Sequence, residues 1–230
     1  AWYFLRFAAE PDGDMPFNKK QLSEWMPVDT YIGGAEHATM HLLYARFFMK
    51  ALADLDIIPE DLREPFTKLF TQGTVKLDGA KMSKSKGNVI APETLIDTIG
   101  TDALRLYQLF VAPPGDPIEW SESDINGSVR FLNRYWKLAT ELETAEFRDT
   151  VLPVDTSFEV KLHEFLSSMN RDVDNWRFNV AAAHIMEFSN ALQKYSNITD
   201  GPNGGLYRQA IEALTLTLAP YCPHITAEIG

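Results

Sequence analysis

The segment VDTYIGG, Val28 to Gly34, restricts the fold of this 230-residue chain more than any other stretch. β-Branched and aromatic residues from Val28 to Ile32 spell a short strand, and Gly33-Gly34 ends it. The twenty-one residues that follow, AEHATMHLLYARFFMKALADL, are good helix formers with no Gly or Pro, which predicts one helix from Ala35 to Leu55. A strand that runs through a diglycine turn into a helix is an α/β crossover unit.

The same reading continues along the chain. FTKLFTQGTVKLDG reads as strand, turn, strand, and APETLIDTIG and TDALRLYQLFVA as two helices closed by Gly100 and Pro113. The Pro-rich stretch PPGDPIEW breaks the pattern and places a domain boundary at Trp120. Beyond it, four segments have helical period: SESDINGSVRFLNRYWKLATELE, SFEVKLHEFLSSMNRDVDNW, RFNVAAAHIMEFSNALQKYSN and GGLYRQAIEALTLTLAPYCP. In the third, Phe178, Ala182, Ile185, Leu192 and Tyr195 fall on one face. The expected organisation is an α/β domain over residues 1–120 followed by an all-α helical bundle over 121–230.

Charge narrows the functional classes. The formal net charge is −11, and it is shared: 12 basic against 17 acidic residues up to Trp120, then 9 against 15. A nucleic-acid partner would have to be held by local basic patches, since the overall field repels it. The single Cys222 forms no internal disulfide and fits a reducing, cytoplasmic setting. No stretch approaches the ~20 apolar residues of a membrane span, so no membrane partner is expected. The opening AWYFLRF has no initiator Met and no signal peptide, and both ends read as cut from a longer protein.

Three constellations could carry chemistry. In YIGGAEHATMH the diglycine lets backbone approach a flat ligand, and Glu36 can accept from sugar hydroxyls. His37 and His41, four apart, would share a helical face; the spacing suits zinc, but Ala38 stands where a metalloprotease has Glu, so no metal is assigned. A diglycine turn with two packed histidines is the plainer alternative. The second is DGAKMSKSKGNVI, Asp78 to Ile90, where Lys81, Lys84 and Lys86, with nearby Lys76, gather around Gly79 and Gly87. It lacks the Walker spacing, yet ammonium and hydroxyl groups on a glycine-hinged loop can close on a polyphosphate; a solvated loop is the alternative. The third is NRDVDNWRFNVA, where Arg171, Trp176 and Arg177 could meet RNA backbone and an unstacked base, or simply form surface around an anchoring Trp. His224, between apolar neighbours, is expected in the core.

The order Lys81-Met82-Ser83-Lys84-Ser85 resembles the signature loop of class I aminoacyl-tRNA synthetases letter for letter, with GGAEH upstream and a helical bundle downstream in that family's order. WYFLRF, YIGGAEHATMHLLYARFF and PHITAEI most resemble the leucyl branch. The resemblance implies a Rossmann-type catalytic half-domain and an anticodon-binding-type bundle truncated at its C-terminal end. The implied reaction joins leucine and ATP, with Mg²⁺ carried by the nucleotide, into an adenylate, then passes the leucyl group to tRNA(Leu). It implies that Gly33, Gly34, Glu36 and Gln72 hold adenosine. Phe4, Tyr31, His37 and His41 would line the leucine and adenylate pocket. Lys81, Met82, Ser83, Lys84 and Ser85 would bind the ATP phosphates, with Lys81 and Lys84 catalytic.

The chain departs from the family in lacking the His-Ile-Gly-His signature, expected on an upstream half with the rest of the ATP site, so this polypeptide alone is expected to be inactive. Ala1 and Gly230 replace a usual Ser and Trp, and only nine residues, Gln72 to Ala80, precede the signature loop. The alternatives are a valyl, isoleucyl or methionyl relative, a non-catalytic RNA-binding split half, and a small-molecule nucleotidyltransferase, which leaves the bundle unexplained.

Overall fold

The computed structural model describes residues 1–230, which divide into two compact units, Ala1–Thr74 and Val75–Gly230. The first unit opens with two short helices, α1 (Leu5–Ala8) and α2 (Lys19–Trp25), the latter capped by the Asn18 side chain accepting from the Gln21 N–H. Strand β1 (Val28–Gly33) and strand β2 (Phe66–Thr71) pair in parallel, from Val28 opposite Phe66 to Gly33 opposite Thr71. Helix α3 (His41–Asp54) lies between them in sequence, so the expected crossover unit is present. Leu5, Phe17, Leu22, Met49, Ile58 and Leu62 form its core.

The single helix read from Ala35 to Leu55 is two elements. Residues Ala35–Ala38 form a 3₁₀ turn, closed by i→i+3 bonds from His37 N–H to Gly34 O (3.1 Å), Thr39 N–H to Glu36 O (3.3 Å) and Met40 N–H to His37 O (3.2 Å). The Thr39 hydroxyl also donates to Glu36 O at 3.2 Å, a local side-chain bond that competes with helical pairing. Met40 then leaves helical space altogether (φ −116°, ψ −107°) before α3 begins. Propensity alone could not see this, because the deciding bonds are specific local i→i+3 contacts rather than a matter of composition.

In the second unit, β3 (Val75–Leu77) and β4 (Ala80–Lys81) make a hairpin across Asp78-Gly79, both with positive φ (52° and 74°), the Asp-Gly pair that a tight two-residue turn favours. Strand β5 (Ile118–Glu119) pairs with β3 in parallel. Between β4 and β5 come a 3₁₀ turn (Lys84–Lys86), α4 (Pro92–Ile99) and α5 (Thr101–Phe110). The bundle helices are α6 (Glu122–Thr144), α7 (Pro153–Asp174), α8 (Phe178–Ser196) and α9 (Gly204–Leu218), with α10 (Pro223–Ile229) following. The last predicted segment is therefore broken: Pro220 and Pro223 stop α9 and start α10.

The α/β part followed by a helical bundle is the predicted fold class. The compact units, however, part at Thr74, whereas composition parts at Trp120. Ala103 and Leu106 of α5 belong to the same buried core as Phe131, Tyr135, Ile185 and Leu214, so α5 packs as a bundle helix. Parallel rings of Phe158 and Tyr195 (4.1 Å) and of Phe165 and Phe188 (4.4 Å) fasten α7 to α8. His224, expected in the core, is exposed: only its backbone N–H is used, lying 3.4 Å from an Asp102 carboxylate oxygen at the start of α10.

One buried carboxylate organises the bundle's far end. Asp155 is 3% exposed and accepts from Arg148 Nη1 and Nη2 (3.0 and 2.9 Å), the Tyr195 hydroxyl (2.5 Å) and the Leu152 N–H (2.6 Å). Arg148 foremost, with the hydroxyl and the N–H, holds its pKa at about 2 against the opposing effect of burial. Because the folded value is depressed, the stabilisation is complete above the unfolded value of about 4 and is lost as pH falls through about 2. Asp155→Ala is expected to cost about 3 kcal/mol, since Arg148 and Tyr195 then lose their acceptor. Urea unfolding followed by helical circular dichroism checks it, and the variant's deficit should shrink between pH 4 and pH 2.

Candidate functional site

One candidate site, within the first unit, sits at the C-terminal end of β1, the edge at which parallel α/β sheets bind ligands. Gly33 is buried and Gly34 half-buried, and neither could carry a side chain without displacement. A methyl group on Gly34 would stand 2.3 Å from Glu36 Oε2, and one on Gly33 would stand 2.9 Å from a Tyr31 ring carbon. The glycines thus let the Glu36 carboxylate fold back over the diglycine backbone. Gln72 is exposed just past β2, with its N–H bonded to Gly33 O at 3.3 Å, so β2 brings it beside the diglycine.

Aromatic rings line the neighbouring surface. Tyr31 stacks on His41 (5.6 Å, 13° between planes) and meets Phe66 at 4.9 Å, while His37 approaches His41 edge-on at 6.5 Å and Phe4 reaches Phe66 at 5.6 Å. The predicted Phe4, Tyr31, His37 and His41 are therefore one continuous group. The two histidines, however, come from different elements, a 3₁₀ turn and the first residue of α3, and not from one helical face. Nδ1 of each is buried with no protein hydrogen-bond partner. Such atoms are costly unless a ligand or solvent meets them, which is what a polar group on a bound small molecule can do.

A separate candidate, within the second unit, is the lysine loop. Met82 N–H bonds to Val75 O (3.2 Å), tying the loop to β3, and the turn from Ser83 is closed by Lys86 N–H to Ser83 O (3.1 Å) and Gly87 N–H to Lys84 O (3.2 Å). Gly87 takes a left-handed conformation (φ 68°) that ends the turn. The Ser83 and Ser85 hydroxyls bond at 2.7 Å. Lys81, Lys84, Ser85 and Lys86 are exposed, Met82 and Ser83 half-buried. Two positions that sequence reasoning passed over support the loop. Asn88 contacts both Ser83 and Lys81 through its amide, and the Glu119 carboxylate accepts from the Gly79 N–H at 2.9 Å. Asn88 lay inside the quoted motif; Glu119, forty residues beyond Gly79, had no local signal.

The third predicted group is differently engaged. Arg177 and Arg171 both pair with Asp172, Arg171 at 3.4 Å, and His184 Nε2 lies 3.1 Å from the other carboxylate oxygen. Asp172 is fully buried, whereas the Arg171 and Arg177 side chains remain 58% and 49% exposed, so each guanidinium braces the α7–α8 junction and still offers a face to solvent. Trp176, half-buried with positive φ (58°), packs on Phe178 at 5.8 Å in that junction. No helix is long and apolar enough to cross a membrane.

Comparison with known proteins points one way. Residues 9–121 match the family model for class I tRNA synthetases (I, L, M and V), and residues 155–230 that for the anticodon-binding domain of tRNA ligases. The whole chain is 43% identical to the leucine–tRNA ligase of Petrotoga mobilis and 44% to that of Geotalea uraniireducens. It spans only 29% and 28% of their lengths. A crystal structure of the Agrobacterium radiobacter LeuRS, in ternary complex with tRNA and LeuAMS, superposes with a TM-score of 0.83 at 33% identity, over 99% of this chain and 30% of that one. The Mycobacterium tuberculosis methionyl-tRNA synthetase with methionyl-adenylate, 18% identical, shares the fold with a TM-score of 0.74 over 98% of this chain and 47% of its own.

Burial foremost, with the neighbouring His37, lowers the His41 pKa. An NMR pH titration is expected to place the His41 midpoint below about 6.5, leaving the ring neutral at pH 7. A midpoint at or above that value would contradict the desolvated setting.

Proposed function

The chain belongs to the class I aminoacyl-tRNA synthetases, and from that premise we propose that it is the part of a leucyl-tRNA synthetase carrying the second half of the catalytic domain and the start of the anticodon-binding bundle. The observation that carries the leucyl reading is identity of 43–44% to leucine–tRNA ligases with the whole chain covered. In this reading residues 1–120 serve catalysis and residues 121–230 support tRNA(Leu), in the cytoplasm.

The proposed reaction is in-line displacement. A leucine carboxylate oxygen attacks the α-phosphorus of ATP, the bond to the β-phosphate oxygen breaks, and pyrophosphate leaves with the electron pair. Mg²⁺ arrives on the nucleotide and offsets phosphate charge. Nothing in this step requires a protein acid or base, so the side chains position and neutralise. The diglycine approaches the adenine and ribose, Glu36 accepts from ribose hydroxyls, and Gln72 bonds the base edge. Tyr31, His37, His41 and Phe4 enclose the leucyl adenylate, the buried Nδ1 atoms meeting its polar groups. Lys84, with Lys81 and the Ser83 and Ser85 hydroxyls, meets the negative charge that grows on the departing pyrophosphate, while Met82 holds the loop to β3. A terminal ribose hydroxyl of tRNA then attacks the leucyl carbonyl carbon, the bond to the adenylate phosphate oxygen breaks, and AMP leaves with the electron pair. Arg171, Trp176 and Arg177 would meet RNA backbone from the side they leave to solvent.

The test uses the full-length protein. Leucine should drive ATP–pyrophosphate exchange, and methionine, valine and isoleucine should do so at least about tenfold less efficiently; preference for one of those three would overturn the leucyl reading. Lys84→Ala should lower kcat for exchange by about 10²- to 10³-fold while the leucine KM changes little. An unchanged exchange rate would remove Lys84 from the catalytic assignment. Gly34→Ala, which pushes the Glu36 carboxylate off the diglycine, should raise the ATP KM by about tenfold more than the leucine KM.

A further inference from the structure

We infer that Asn88 is a positioning residue for adenylate formation, acting by holding the lysine loop in a reactive shape; the inference rests on the synthetase reading given above. One side-chain amide joins two points of the loop. Its Oδ1 accepts from the Ser83 N–H at 2.9 Å, and its Nδ2 donates to the Lys81 carbonyl at 3.3 Å. Those two groups bracket Met82, and the residue after Ser83 is Lys84. Asn88 therefore fixes the backbone on both sides of the step from which the lysines and Ser83 project.

The chain is folded to let this happen. The turn Lys84–Lys86 reverses direction, and Gly87 in left-handed conformation brings residue 88 back across the loop. The Ser83–Ser85 hydroxyl contact and two turn bonds lie within the loop, and the bond from Met82 N–H to Val75 O extends the β3–β4 pairing that anchors its start. Asn88 pairs both the Lys81 carbonyl and the Ser83 N–H. Asn88 is half-buried while Lys84 is exposed, so the amide braces from below and the ammonium group stays in solvent.

Asparagine is also the side chain the geometry demands. The site needs an acceptor and a donor on one short planar group. Asp would keep the acceptor for Ser83, lose the donor to Lys81 and place a carboxylate against a carbonyl in a loop built for an anion. Ala would lose both bonds. A preorganised loop matters most when charge develops on the leaving group, so the loss should fall on kcat rather than on ground-state binding.

The experiment is a double-mutant cycle in the full-length protein, read by leucine-dependent pyrophosphate exchange. Asn88→Ala should lower kcat by about tenfold or more, with leucine and ATP KM values within about threefold and the melting temperature nearly unchanged. In a Lys84→Ala background the same change should cost less than about twofold, because its effect runs through that lysine. Asn88→Asp should lower kcat as well and, unlike Asn88→Ala, should weaken pyrophosphate inhibition. Independent losses in the cycle, or wild-type kcat in Asn88→Ala, would overturn the inference. So would a fall in melting temperature with kcat and KM worsening together. A wild-type protein that activates no amino acid would instead overturn the functional reading, which separates the two failures.

Discussion

The second unit depends on how α5 grips the chain between α9 and α10. Asp102, 8% exposed at the start of α5, accepts from the Ile225 N–H at 2.7 Å, with the His224 N–H at 3.4 Å. Arg105, one turn later, donates to the Tyr221 and Pro220 carbonyls at 3.1 and 2.9 Å. A helix that stops leaves carbonyls without partners, and one that starts leaves N–H groups without partners. Pro220 and Pro223 force both events within a few residues. Asp102 meets two N–H groups that α10 leaves open, and Arg105 meets the Pro220 and Tyr221 carbonyls of the turn between the helices. Ala103 and Leu106, on the same helix, enter the bundle core.

That grip explains why the compact unit begins at Val75 and not after Trp120. Composition changes at the Pro-rich break, but α5 precedes the break and is already a bundle helix. Tyr107 extends the connection: its hydroxyl accepts from the Ser121 N–H at 3.0 Å and its ring meets Trp120 edge-on at 5.4 Å. The lysine loop is consequently suspended between two rigid supports. On one side is the small sheet of β3, β4 and β5, and on the other α4, which packs on α5. A loop held at both ends and braced once in the middle can move as a lid without losing its internal shape.

Much of this was legible in the sequence. The strand β1 and its diglycine followed from residue type, and α6 to α9 from helical period. The order of five residues, not their charge, distinguished the lysine loop from an ordinary solvated one. What escaped were features decided by partners distant in the chain or by competition between bonds. The break at Met40 hides inside a run of good helix formers, because i→i+3 bonding and the Thr39 hydroxyl outweigh propensity there. Arg171 and Arg177 read as surface cations because nothing local reveals that Asp172 is buried between them. His224 read as a core residue because its neighbours are apolar, yet α10 turns it outward while its N–H alone is used.

The placement of positive charge completes the physical picture. Elsewhere several cations of this acidic chain pair with carboxylates: Arg46 and Lys50 with Glu64, Arg63 with Asp54 and Glu60, Arg148 with Asp155. Lys84 and Lys86 are in no ion pair, and the Glu119 carboxylate accepts from the backbone N–H of Gly79 in the hairpin. The loop therefore orders its backbone with neutral groups, Asn88 and the two serines, and leaves these ammonium groups hydrated. Holding Lys84 with an acidic side chain would have fixed it more firmly but cancelled the charge it must present. Bracing by an amide resolves that conflict: the backbone loses its freedom in advance, and the charge is retained for an incoming phosphate.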